Sequence, residues 1–307
     1  MRIFLTGATG HVGAAVLDAL IRGGHTVTAL VRDNEKAERV ATRGGQPVVG
    51  NLAEPESFRG AADAQDGYVH TAIDKVPGRG PSIERLALEM IIAAAKRPRT
   101  GGAIAPAKRF VIFTSGLWVI GKAPDPVAED VPLNPIAMAA HRPEHERLVL
   151  EAANDQLRTM VVRPGVVYGG GNGTVSDLFK SATNGLVRVV GDGNNHWPLI
   201  YDRDLADLYA KLVVNQDASG IYHANDEGDE RVNDIVAAIS PYVPVRPDVR
   251  HVPIEEARTK MGPLAEALAL DQVVRSPRAR ALGWAPTLHS VSGNAARLLE
   301  EWRASQD

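Results

Sequence analysis

Cysteine is absent from the 307-residue chain, which excludes a disulfide framework, a thiol nucleophile and a Cys-ligated metal. An excess of one charge is also missing. The chain sets 34 Lys and Arg against 37 Asp and Glu, a net of -3, without the basic surplus that marks a large nucleic-acid footprint. Long apolar runs are missing too. The longest, residues 90–95, holds six residues, against the ~18 at which a membrane span is suspected. No signal-peptide pattern precedes the strand-like Arg2-Ile3-Phe4-Leu5. What is present is ordinary: 44% hydrophobic and 23% charged residues, the mix of a globular chain and not of a disordered or fibrous one. The expectation is a cytoplasmic protein with no nucleic-acid and no membrane partner, long enough for one large domain or two modest ones.

Two periodicities alternate along the first half. Short apolar runs at 3–5, 25–31, 47–49, 67–70, 109–114 and 159–163 read as strands. Helical apolar spacing at 12–21, 35–42, 55–62, 82–95 and 143–153 fills the gaps. Helices between strands in this rhythm imply right-handed crossovers and an α/β, doubly wound parallel sheet covered on both faces. Beyond Gly165 the pattern becomes irregular, with a glycine-dense loop at 169–173, helices at 175–183, 204–214 and 232–239, and short strands at 187–190 and 220–223.

The strongest local signal is Thr6-Gly7-Ala8-Thr9-Gly10-His11-Val12-Gly13, at the first strand-to-helix junction. Gly7 permits a tight turn, Gly10 lets backbone approach a pyrophosphate, and Gly13 lets the helix pack closely on the sheet. The helix start supplies unpaired N–H groups and a positive dipole end for phosphates. At the end of the second strand, where an acidic residue would hold the ribose hydroxyls of NAD, the chain has Val31-Arg32-Asp33. The guanidinium of Arg32 suits a 2′-phosphate, so NADP(H) is the expected cofactor. NAD is the alternative, through Asp33.

The Thr-Gly-x-x-Gly-x-x-Gly motif resembles that of the short-chain dehydrogenase/reductase superfamily, in particular its extended or atypical, NAD-dependent epimerase/dehydratase-like branch. Further pieces are similar in order: Asn51-Leu52, where the family has Asp-Leu beside the adenine; His70-Thr71-Ala72; Phe113-Thr114-Ser115-Gly116; Arg163-Pro164-Gly165-Val166-Val167-Tyr168-Gly169; and Asp202-Arg203-Asp204-Leu205-Ala206. The resemblance implies a Rossmann-type domain over 1–165, with 200–223 contributing, and a small substrate-binding cap from 166–199 and 224–307. It implies cofactor contacts from Gly7, Thr9, Gly10, His11, Val12, Gly13, Arg32, Asn51, Leu52, Thr71, Ala72, Ile73, Thr114, Arg142, Pro164, Gly165 and Val166.

The family's chemistry uses a Ser and a Tyr-x-x-x-Lys. Here the match puts Met138 at the tyrosine, Arg142 at the lysine and Gly116 at the serine, with Ser115 one residue earlier. Methionine transfers no proton, and arginine keeps the charge but is too basic to relay one. Two readings stay open. In one, the chain is an oxidoreductase with Ser115, Arg142 and another proton donor: His141, Tyr168, His196 or Tyr201. In the other, it is a catalytically silent NADP(H)-binding sensor.

Relatives that act on nucleotide sugars carry an Arg before the Asp-x-Asp-Leu-Ala segment. This chain has Asn195-His196-Trp197-Pro198 there. A large apolar ring in place of a phosphate-gripping cation disfavours a nucleotide-sugar epimerase or dehydratase and favours a small, largely apolar carbonyl or alcohol substrate, with Trp118, His196 and Trp197 lining its pocket and Arg188 a candidate anion partner. His141-Arg142-Pro143-Glu144-His145 matches the H-x-x-E-H zinc pattern. Pro143 argues against a continuous helix, and no third ligand is evident in the sequence, so no metal is expected. A homodimer is the default expectation for assembly.

Overall fold

In the computed structural model, which describes residues 1–63, 65–74, 76, 78–98 and 108–306, the chain divides into two compact units. One comprises Met1–Ser115, His141–Val162 and Ala206–Tyr222. The other comprises Gly116–Ala140, Arg163–Leu205 and His223–Asp307. Residues 116–140, which the sequence division places with the cofactor layer, pack with the second unit instead.

The first unit is built on a seven-stranded sheet, β12-β7-β5-β4-β1-β2-β3. Its strands are β1 (Arg2–Thr6), β2 (Thr26–Val31), β3 (Gln46–Val49), β4 (Gly67–His70), β5 (Arg109–Thr114), β7 (Leu157–Pro164) and β12 (Gly220–Ala224). From β3 across to β7 every neighbouring pair is parallel. The central strands are apolar on both faces, as burial between helix layers requires; Ile3, Phe4 and Leu5 have no exposed surface. The helices are α1 (His11–Arg22), α2 (Asn34–Thr42), α3 (Arg59–Asp63), α4 (Gly80–Lys96), α5 (Arg142–Leu150) and α7 (Asp202–Val214). α1 buries Val16, Leu17, Ala19 and Leu20. Where the periodicity predicts one helix over 55–62, a 3-10 turn at Pro55–Ser57 precedes α3.

Strand order reverses between β1 and β4, and ligands of open α/β sheets bind beyond the strand ends at such a point. Gly7 follows β1 and Thr71 follows β4. A parallel register pairs Thr6 with His70.

The second unit is smaller-stranded. β6 (Ala123–Val127) pairs with β15 (Gln272–Val274), β8 (Val166–Tyr168) with β11 (Leu199–Tyr201), and β9 (Leu186–Val190) with β14 (Asp248–Val252), all parallel. β10 (His196–Trp197) runs antiparallel to β13 (Glu230–Arg231). Its core joins α6 (Thr174–Thr183), α8 (Val232–Ile239) and the C-terminal helix Ala295–Ala304 through Phe179, Ile235, Leu298 and Trp302. Buried Asp204 accepts hydrogen bonds from the Thr287 and Leu288 N–H groups and the Thr287 hydroxyl, which satisfies a charge that would otherwise be costly to bury. No helix among the described residues is long and apolar enough to cross a membrane.

Candidate active site and cofactor cradle

The glycine turn is shaped by close approach. Gly7 has φ +82°, a conformation that side chains rarely adopt, and a Cβ there would meet Thr71 Oγ1 at 2.6 Å. At Gly13 a Cβ would fall 2.1 Å from the Gly7 carbonyl oxygen and 2.6 Å from Thr71 Oγ1. Thr71 closes the cluster by donating its hydroxyl to Thr6 O at 2.8 Å. Helix, turn and the end of β4 thus meet at a distance that only glycine allows, leaving the start of α1 beside the strand ends. Gly13→Ala must push backbone against backbone. We expect destabilisation at the upper end of the ~1–3 kcal/mol typical of overpacking, together with lost dinucleotide affinity, read by thermal melting and ligand titration. Gly60→Ala is the control, because nothing lies within 4 Å of its added carbon.

At the end of β2 a cavity of about 350 Å³ is lined by Arg32, Gly50, Asn51, Glu54, Ser57, Asp74 and Arg79. Arg32 is exposed and makes no hydrogen bond or ion pair among the described residues. Asp33, the residue that would serve NAD, is engaged elsewhere. It caps α2 by accepting from Lys36 N at 2.9 Å and pairs with the Lys36 ammonium, contacts that hold its carboxyl below the ordinary range. Arg79 pairs with Asp74 at 3.1 Å, and Glu54 accepts from the Asn51 amide. Arg79 was not foreseen from the sequence: it lies 47 positions beyond Arg32 and carries no motif.

Of the other expected cofactor contacts, Thr9, His11, Val12 and Ala72 are partly buried around the turn, and Ile73 is exposed. Leu52 packs on the core beneath the sheet. Pro164, Gly165 and Val166 fall in the second unit, where Val166 N donates to Pro198 O at 2.7 Å.

The residues expected to do chemistry separate sharply. In the first unit, α5 starts at Arg142 with Pro143 in its first turn, where a missing N–H costs nothing; the expectation that Pro143 interrupts this helix is therefore corrected. Arg142 is held three ways. It donates to Thr114 O at 2.8 Å, stands 3.5 Å from Glu84 Oε1, and lies 5.8 Å over the Phe113 ring. The Thr114 hydroxyl is bonded to Tyr209 OH at 2.6 Å. Ser115 Oγ is buried without a hydrogen-bond partner among the described residues. His141 stands next to Arg142, its side chain 26% exposed, with Nε2 3.5 Å from Glu84. Met138, which belongs to the second unit, is 41% exposed and offers no proton.

The alternatives lie in the second unit and are tied up. Tyr168 is fully buried and donates to Asp226 at 3.2 Å; burial and that carboxylate drive its phenol far above the ordinary value. Tyr201 donates to Glu301, and burial raises it to about 12. His196 has both ring nitrogens engaged, by Asp271 at 2.9 Å and Arg231 at 3.3 Å. Both phenols are thus held on carboxylates and raised above their ordinary value. Trp197 is buried with its N–H on Leu268 O. It borders a cavity of about 300 Å³ with Leu178, Val189, Leu264, Leu268 and Arg188. Trp118 packs instead in a separate cluster with Val127 and Val131, away from that cavity's lining.

His70, on β4, accepts from or donates to Thr6 Oγ1 at 2.8 Å through Nδ1, while its Nε2 is unpartnered among the described residues. Burial lowers its pKa to about 4. Its stabilising contribution is fully present above the ordinary 6.5 and is lost as pH falls toward 4, because the unfolded chain takes the proton first. Wild type should lose roughly 2 kcal/mol more than His70→Gln between pH 7 and 5. Urea unfolding at the two pH values measures the difference; equal losses would mean the buried ring protonates freely.

Comparison with known proteins agrees with this geometry. A family model, described as the NAD dependent epimerase/dehydratase family, matches residues 3–224, and the chain belongs to that family. It is an oxidoreductase-type, NAD(P)-binding Rossmann chain. An uncharacterized protein of Schizosaccharomyces pombe is 31% identical over 301 residues, covering 95% of this chain and 96% of that one. The 4-hydroxy-2-methyl-3-oxo-4-farnesyl-3,4-dihydroquinoline-1-oxide ketoreductase of Stigmatella aurantiaca is 26% identical, covering 91% and 85%. The fold is similar to that of human epimerase family protein SDR39U1, solved with NADPH, at TM-score 0.78 and 18% identity over 98% of this chain and 99% of that one.

Proposed function

We propose that the chain is an NADP(H)-dependent reductase or dehydrogenase of a small, largely apolar carbonyl or alcohol substrate, with His141 in the place of the missing tyrosine. The observation that carries the cofactor choice is the cavity at the end of β2. An exposed Arg32, without a hydrogen bond or ion pair among the described residues, and a nearby Arg79 border it, while Asp33 caps α2. A guanidinium fork matches a 2′-phosphate and has no counterpart on a bare ribose. The tight Gly7–Gly13–Thr71 cluster and the orphaned Ser115 hydroxyl fit a bound dinucleotide and its substrate.

Bound NADPH supplies a hydride. The chain's own work is to position and to protonate. Arg142, locked by Thr114, Glu84 and Phe113, presents a fixed positive charge. The buried Ser115 Oγ, unpartnered among the described residues, would donate to a substrate oxygen. His141, beside Arg142 and partly exposed, is the one candidate whose ring is neither sealed in the core nor held on both nitrogens, and imidazole suits proton transfer near neutral pH. Within the second unit, a cavity beside Trp197 has a mostly apolar lining, with Leu178, Val189, Leu264 and Leu268 beside Asp177 and Arg188, and the ketoreductase named above carries a farnesyl group in the substrate of its name; both support an apolar substrate. Turnover of a carbonyl-compound panel, followed at the NADPH absorbance band, tests the reading. NADPH binding without turnover on any member would support the sensor instead.

A further inference from the structure

Two objections stand against the H-x-x-E-H pattern at 141–145, the proline within it and the want of a third ligand, and the structure removes both. Pro143 sits in the first turn of α5, which begins at Arg142, and His141 caps that turn in helical conformation with its carbonyl accepting from His145 N, so His141 and His145 lie one turn apart, their rings 5.3 Å apart. A third donor arrives from α4: Glu84, 4% exposed, sits against both. Its Oε2 is 2.7 Å from His145 Nδ1 and 3.5 Å from His141 Nε2. One ligand atom from each of the three residues lies within 4.8 Å of the other two.

We propose that Glu84, His141 and His145 form a transition-metal site, of which Zn²⁺ is the occupant to test. Two imidazoles and one carboxylate are the donor set of three-ligand zinc sites that keep a fourth position open. They suit a borderline dication and not Ca²⁺ or Mg²⁺, which need more oxygen ligands. In a tetrahedral site with bonds of about 2.0–2.1 Å the ligand atoms stand roughly 3.3 Å apart. The His141–Glu84 pair is already at that spacing, and the His145–Glu84 pair has to open by about half an ångström.

The carboxylate is divided to suit. Oε2 faces the imidazoles, while Oε1 stands 3.5 Å from Arg142, the kind of outer partner that fixes a ligating carboxylate. His145 and Glu84 are buried, and the partly exposed His141 marks the side from which an ion and its water reach the site. Glu144, the motif's own glutamate, is exposed and paired with Arg85. It is not available to activate a metal-bound water, so the site is not that of a zinc hydrolase.

Binding takes the His141 nitrogen that faces Glu84. If His141 is the proton donor, a point that rests on the function proposed above, bound Zn²⁺ inhibits. The purified full chain is stripped with chelator, loaded with Zn²⁺ at pH 7.5 and passed through a desalting column for metal analysis. Co²⁺ loading supplies a visible ligand-field spectrum as a second readout. The expected result is one Zn²⁺ retained per chain, a tetrahedral-type Co²⁺ band, and a metal-induced rise in Tm, all lost in His141→Ala and in Glu84→Gln. His141→Ala changes a partly exposed residue, so its Tm without metal should stay close to wild type and show that loss of binding is not loss of fold. No retained metal in wild type, or retention undiminished in both variants, would overturn the site. Zn²⁺ retained without any fall in turnover would support the site and overturn the proton-donor assignment.

Discussion

Arg32→Ala should weaken NADPH binding by roughly ten- to a hundredfold and leave NADH binding within about twofold. A charge-assisted hydrogen bond contributes about 1.5–3 kcal/mol, and about 1.4 kcal/mol is a factor of ten. The asymmetry follows from position. Arg32 borders the cavity at the end of β2 without an ion-pair partner among the described residues, so its charge is available to a dianionic phosphate and has nothing equivalent to grip on NADH. Arg79 is already paired with Asp74, so Arg79→Ala should cost less than Arg32→Ala. The two effects should couple in the double variant, because both side chains face one cavity. Fluorescence titration with each nucleotide measures all of this. An equal loss for NADPH and NADH, or wild-type preference for NADH, would return the cofactor to NAD.

The parts of this molecule that local sequence describes were legible in advance, and the parts that depend on distant partners were not. Strands 67–70 and 109–114 and the helix at 232–239 agree residue for residue with β4, β5 and α8, because periodicity and glycine punctuation are local signals. The glycine turn was readable for the same reason, since three glycines at two equal spacings within eight residues specify a turn and a close approach. β6 was hidden. Its run Ala-Pro-Asp-Pro-Val carries two prolines, which argue against a central strand, and it survives as half of a two-stranded pair with β15. The trunk of the second unit was also hard to read, since its short strands pair across long separations, as β9 with β14. At the site, Arg142 could be placed by resemblance. Its holder Glu84 could not, because nothing in the run Ser-Ile-Glu-Arg-Leu distinguishes a buried acid from a solvated one on an amphipathic helix. The same blindness concealed the third member of the Glu84, His141 and His145 cluster.

Replacing His141 should separate binding from chemistry. General acid–base groups contribute about 10²–10⁴-fold, so His141→Ala is expected to lower kcat with an accepted carbonyl substrate by that order while the NADPH affinity changes little. The geometry supports the split. His141 lies outside the Gly7–Gly13 turn and outside the cavity that Arg32 borders, so its loss leaves the dinucleotide contacts alone. It adjoins Arg142, whose guanidinium is held by Thr114, Glu84 and Phe113 and does not depend on the His141 ring. Arg142→Ala removes a fixed charge and should disturb nucleotide binding as well, which makes it the contrasting variant. Imidazole in the buffer is the sharper probe. A small base of the same chemistry should restore part of the lost kcat in His141→Ala and do nothing for Arg142→Ala. If His141→Ala keeps wild-type kcat, the proton comes from elsewhere. The remaining side-chain candidates, Tyr168, Tyr201 and His196, are each bound to a carboxylate, so the next group to test would be the unpartnered Ser115 hydroxyl together with solvent.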